Sequence, residues 1–142
     1  MFDTEEDRAF YGLIWAGNAL TCLVDKALTA THAMPLSWFE ALFWLDQQTG
    51  PVSPTQLGEA AMLSRSRLSR VLDELTARGL VDRQPSPTDA RAVTVALTDA
   101  GRALYAAADA TRRAAVAPYF TDKLDAQDTA DLIRVWRKIR NP

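Results

Sequence analysis

The sequence predicts a mainly α-helical chain that carries one small β-hairpin between two sets of helices. Three observations carry this reading. Apolar residues recur at helical spacing through most of the chain, capping signals divide the helical stretches from one another, and the period changes to that of strands only between Leu80 and Leu97.

Residues 5–30 read as one long helix. Phe10, Ile14, Gly17, Thr21, Val24 and Leu28 form one stripe and Leu13, Leu20, Leu23 and Ala27 another, so two faces are expected to be buried. Met34-Pro35-Leu36 breaks the pattern. Ser37 with Glu40 then reads as a capping box, which predicts a second helix from about Trp38 to Gln48, ended by Gly50-Pro51. Ser53 and Gln56 make another capping box, with Pro54 at the first helical position, where no N–H is needed. That third helix should end near Ala61. The turn Met62-Leu63-Ser64 leads into a fourth helix whose apolar face is Leu68, Val71, Leu72 and Leu75, and Gly79 ends it as a left-handed cap.

After Gly79 come Leu80-Val-Asp-Arg, a turn-rich stretch from Pro85 to Ala90, and Arg91-Ala-Val-Thr-Val-Ala-Leu, the pattern of a hairpin. Thr98 opens an alanine-rich helix to about Val116 and Pro118 interrupts. Asp125 to Ile139 forms a last amphipathic helix with Leu132, Ile133, Trp136 and Ile139 on its apolar side. Two short helices across a tight turn, followed by a hairpin, make a winged helix-turn-helix. The expected organisation is a winged helix-turn-helix DNA-binding domain over 35–98, with 1–34 and 99–142 forming a helical dimerisation region.

Composition restricts the function. At 142 residues, 48% apolar and 24% charged, the chain falls in the soluble globular range, and no apolar run approaches the roughly 20 residues of a spanning helix. The start, Met1-Phe-Asp-Thr-Glu-Glu-Asp, is acidic where a secretory signal would be basic and then apolar, so the expected location is the cytoplasm. With one histidine, His32, and one cysteine, Cys22, neither a metal-ligand set nor a nucleophilic triad can be assembled. No cofactor, metal or catalytic residue is expected, and the chain does not read as an enzyme. Cys22 lies within an apolar stripe, which predicts a buried and inert thiol.

The net charge of −2 is unevenly spread. Residues 1–61 hold only Arg8 and Lys26 as cations, whereas Arg65, Arg67, Arg70, Arg78, Arg83 and Arg91 dominate the next thirty residues. Affinity for DNA depends on where the cations stand, not on the total. A step of 100° per residue puts Ser66 and Arg70 opposite the apolar face of the fourth helix, with Arg67 and Ser69 beside them. Arginine there can bond guanine bidentately in the major groove and serine can serve either base. Ser64 stands at the helix start, and Arg65, nearer the core edge, suits a phosphate.

Four strings carry a family resemblance: Pro35-Leu-Ser-Trp-Phe-Glu-Ala-Leu, Leu63-Ser-Arg-Ser-Arg-Leu-Ser-Arg-Val-Leu, Arg78-Gly-Leu-Val-Asp-Arg, and Asp89-Ala-Arg-Ala-Val running on to Leu97-Thr-Asp-Ala-Gly-Arg. At these mutual distances the chain resembles the MarR family over roughly residues 10–139. The resemblance implies a homodimer that binds a pseudo-palindromic operator in double-stranded DNA, more often a repressor than an activator. It implies that Arg91 enters the minor groove while Asp89 braces it, although Asp89 also reads as a turn-forming residue. Ala92 departs from the family, where glycine is common. The resemblance further implies a small aromatic or amphipathic effector between the two lobes, for which Trp15, His32 and Trp38 are the candidate residues. Two alternatives stand beside it: a winged-helix protein-interaction module without DNA binding, and an oxidant-sensing regulator using Cys22. Trp15, Trp38 and Trp44 also have a plain reading as core, and His32 as a helix-end residue.

Overall fold

The computed structural model describes residues 3–61 and 63–140, in the order α1 (Glu5–His32), α2 (Leu36–Asp46), α3 (Pro54–Ala61), α4 (Arg65–Ala77), β1 (Val81–Pro85), β2 (Val93–Leu97), α5 (Asp99–Val116) and α6 (Ala126–Arg140). The fold class is the one expected. Met62, assigned to the turn before α4, lies outside the described residues.

α2 is the hub. Ala41 and Leu42 are fully buried and Trp38, Phe39 and Leu45 nearly so, because α1, α3, α4, α5 and β2 all pack around this one short helix. An apolar segment this dense has no solvent face to spare, which fits its near-continuous run of large side chains. Its start differs from the sequence expectation. α2 begins at Leu36 with Pro35 as its N-cap and no capping side chain, so Ser37 is inside the first turn and the Ser37–Glu40 box does not form. The orphan N–H of Leu36 instead donates to Asp25 Oδ1 of α1 at 3.0 Å. A long-range carboxylate has replaced the local cap.

The other caps follow the sequence. Ser53 and Gln56 satisfy each other's backbone N–H groups at 3.1 Å, opening α3 as a reciprocal box. α4 closes in a Schellman motif: Gly79 has φ +70°, its N–H donates to Thr76 O, and the Leu80 N–H reaches back to Leu75 O. Thr98 caps α5 by accepting from the Gly101 N–H, and its hydroxyl donates to Gly79 O, tying the hairpin's return to the end of α4. Gly101 is fixed by space, since a Cβ there would collide with the Leu80 carbonyl oxygen. One feature of the hairpin lay beyond the sequence: Val52, between α2 and α3, forms a bridge with Val95 through two backbone hydrogen bonds of 3.0 and 2.8 Å. It anchors β2 from its second edge.

α1 is buried on one side and over one half only. Val24 and Leu28 enter the core against α5, but Phe10, Tyr11, Leu13, Ile14 and Trp15 are exposed, so the two buried faces expected along the whole helix are absent from this chain by itself. Trp15, at 73% exposure, is not core. α6 has no buried residue, and its Leu132, Ile133, Val135, Trp136 and Ile139 face outward.

Candidate nucleic-acid interface

α4 sorts its side chains by helical geometry. Leu68, Val71, Leu72 and Leu75 are buried, while Arg65, Ser66, Arg67, Ser69 and Arg70 are all exposed. Ser64 is the N-cap, its Oγ accepting the Arg67 N–H at 3.3 Å and lying 3.4 Å from Ser66 Oγ. Its first duty is therefore to the helix start, where four N–H groups would otherwise be orphaned.

Three contacts hold α4 in place. The Trp38 indole N–H donates to Glu74 Oε2 at 2.6 Å, the Arg78 guanidinium sits 4.7 Å from the centre of the Trp38 ring, and Arg83 of β1 pairs with Asp73 at 2.7 Å. The first two clamp α4 to α2. The third joins β1 of the hairpin to α4.

Arg67 and Arg65 stand at opposite edges of the exposed face. Arg67 borders a cleft of about 350 Å³ with Asn18, Thr21, Cys22, Asp25 and Ser37, where α1 meets the starts of α2 and α4. Burial pushes the Glu40 carboxyl above its ordinary range, and the nearby charge of Arg67 offsets part of that rise. Arg65 borders a groove of about 590 Å³ with Pro54, Thr55, Glu59, Arg83 and Val93, between α3, α4 and β2. Ser66 and Arg70 line neither cavity.

At the wing tip Arg91 is exposed. Asp89 Oδ1 accepts the Arg91 backbone N–H at 3.0 Å and Asp89 O accepts the Ala92 N–H, which is the geometry of an Asx turn. Among the described residues no ion pair joins the Asp89 carboxylate to the Arg91 guanidinium. Asp89 shapes the main chain beneath Arg91 and leaves the side chain free to reach outward.

The three residues considered for an effector are not brought together. Trp15 is 17 positions before His32 on α1, about 25 Å along the axis at 1.5 Å per residue. His32, the last residue of α1, has Nε2 within 2.8 Å of Thr111 Oγ1 on α5, and Trp38 is buried and committed to Glu74 and Arg78. One chain therefore offers no single pocket walled by all three. Cys22 is exposed, not buried: it stands outside the Val24 and Leu28 face by which α1 enters the core.

A helix-turn-helix with a basic outer face, a tethered wing and long end helices that keep exposed apolar surface defines the class: a winged helix-turn-helix protein with an accessory helical region. Comparison with known proteins narrows this further. Residues 33–92 match the model of the MarR family. PecS, an HTH-type transcriptional regulator of Dickeya dadantii, is 33% identical over 92 residues, covering 61% of this chain and 55% of its own. The chain thus spans about half the length of that curated relative. A MarR family transcriptional regulator from Streptomyces coelicolor, solved in complex with DNA, superposes with a TM-score of 0.87 at 25% identity, over 100% of this chain and 92% of that one. CouR from Rhodococcus jostii, solved with p-coumaroyl-CoA, gives 0.86 at 26% identity over 99% and 97%. The MarR family match thus covers residues 33–92, within a fold that the whole chain shares with these solved regulators.

Proposed function

We propose that this protein is a dimeric, sequence-specific regulator of transcription that reads duplex DNA through α4 and steadies itself with the wing. The observation that carries the reading is the outer face of α4, where Ser66 and Arg70 stand exposed opposite four buried aliphatic side chains. An α-helix so presented fits the major groove, where base edges can be told apart. Arg70 and Ser66 take the base edges, with Ser69 beside them. Arg65 and Arg67, at the margins of the face, take phosphates. Arg91 reaches the adjacent minor groove from the wing tip, where a narrow groove concentrates negative potential. The DNA-bound neighbour from Streptomyces coelicolor supports this use of the fold.

The apolar faces of α1 and α6 supply the dimer contact. A lone winged helix would have no use for exposed Phe10, Ile14, Trp136 and Ile139, and exposed apolar surface on this scale marks an interaction surface. Two copies related by a two-fold axis then present two α4 helices to successive grooves. We assign the activity to repression, relieved by a small amphipathic or aromatic molecule. The cleft bordered by Arg67, Asn18 and Ser37 supports this, since it lies where the long α1 meets the reading helix and a ligand there could favour one spacing of the two α4 helices.

The test is electrophoretic mobility and fluorescence anisotropy on the intergenic duplex beside its own coding sequence. The wild-type chain should bind this duplex in preference to scrambled DNA, and the variant with Arg65, Arg67 and Arg70 all changed to alanine should lose that preference. Equal binding by both proteins to both duplexes would favour a protein-interaction module instead. Release of DNA by peroxide, prevented by Cys22→Ser, would replace the ligand switch with a thiol switch.

A further inference from the structure

We propose that α1 and α6 form a charge-coded pair between protomers, the acidic start of one chain's α1 lying against the basic end of its partner's α6, the two helices antiparallel. This rests on the dimer proposed above and specifies which surfaces meet. α1 begins with Glu5, Glu6 and Asp7, preceded by Asp3, and only Arg8 opposes them in that stretch. α6 ends with Arg137, Lys138 and Arg140, preceded by Arg134, and has no acidic residue after Asp131. Each charged end adjoins an exposed apolar stripe on its own helix: Phe10, Leu13 and Ile14 on α1, Leu132, Trp136 and Ile139 on α6, where Arg137 and Arg140 lie 5.9 Å from the centre of the Trp136 ring.

Both stripes follow the i, i+3, i+4 or i+7 spacing of a helix–helix seam. Neither is covered within the chain, where α1 packs on α2 and α5 through its second half and α6 is packed extensively on no element. Gly12 and Gly17 point the same way. Glycine inside a helix costs about 1 kcal/mol relative to alanine, yet a Cβ at either position would meet nothing within 4 Å among the described residues. Space left open on an exposed helix face lets another helix approach closely. An antiparallel pairing also sets the positive end of one helix dipole beside the negative end of the other. A two-fold axis makes the contact reciprocal, so every charge change acts twice.

A charge swap tests the pairing in trans. One variant carries Glu5→Lys and Glu6→Lys, the other Arg137→Glu and Lys138→Glu; all four positions are exposed, so both should keep wild-type circular dichroism. Sedimentation equilibrium at low salt should show each variant dimerising about tenfold or more weakly than wild type, since like charges now face each other at both contacts. Mixing the two variants should restore wild-type affinity as a heterodimer, because both contacts then join opposite charges, and the restoration should fade at 1 M NaCl as the charges are screened. If wild type is a dimer but the mixture stays as weak as its components, the pairing is wrong and the dimer stands. If wild type is a monomer, the dimer reading itself has failed. Weakened DNA binding by the Arg137→Glu, Lys138→Glu variant with unchanged dimerisation would assign the basic end to phosphates and overturn the pairing.

Discussion

Arg70 and Arg91 differ in what lies behind them, and that difference should be measurable. Arg70 projects from a helix fixed by four buried side chains, so its guanidinium can be aimed; Arg91 projects from a turn shaped by Asp89. On a bound duplex, Arg70→Ala should cost about 1–3 kcal/mol and relax the preference at one base position. Arg91→Ala should weaken binding with little change in base preference, most where A·T-rich flanks narrow the minor groove. Competition anisotropy against single-base variants of the duplex separates the two outcomes. Gly101 offers a matched test of the scaffold. Its missing Cβ is the only room the Leu80 carbonyl has, so Gly101→Ala should destabilise the fold by about 1–3 kcal/mol, the usual cost of overpacking, as read by the urea midpoint. A neutral result would mean that α5 can slide away from the hairpin.

At the scale of elements, what the sequence made legible were the features whose causes are local. The Ser53–Gln56 box, the buried face of α4 and the left-handed Gly79 each depend on residues within one or two turns, and each appears where the pattern put it. Features with distant causes were hidden. Asp25 caps α2 from eleven residues away, Val52 bridges β2 across more than forty, and neither leaves a periodic trace. Cys22 and Trp15 failed for a related reason: periodicity along α1 shows that apolar faces exist, not which side of the helix the rest of the chain covers. The site was legible to the extent that it follows from one helix's phase, as with Ser66 and Arg70. The effector trio required a three-dimensional juxtaposition that spacing alone could not supply. The α2–α4 clamp gives the element-scale prediction. Trp38→Phe removes both the N–H bonded to Glu74 and part of a buried ring; hydrogen bonds to charged groups contribute about 1.5–3 kcal/mol, and the lost packing adds to this. Thermal unfolding should show a loss of that order, with DNA affinity at temperatures well below the transition lowered no more than severalfold. Unchanged stability would mean that the Arg78 stacking and the core carry α2 and α4 without it.

The whole molecule separates two tasks along its sequence. The central segment carries the exposed arginines of α4 and the wing and most of the core, while α1 opens in acid and the long end helices keep uncovered apolar surface. That division explains how a chain of net charge −2 can be proposed to grip a polyanion: the acidic residues cluster at the start of α1, on a different element from the arginines of α4 and the wing. It also links recognition to assembly, because one α4 can read only a few base pairs and two held at fixed spacing read a site long enough to be selective. Among the described residues no helix is long and apolar enough to cross a membrane. The most direct measurement is repeated selection of the wild-type chain on a randomised duplex library at near-physiological salt, followed by sequencing. Reading by paired α4 helices should enrich one pseudo-palindrome whose half-sites are centred about 10 bp apart. Recovery of no motif, with binding that falls with salt equally on every sequence, would contradict it.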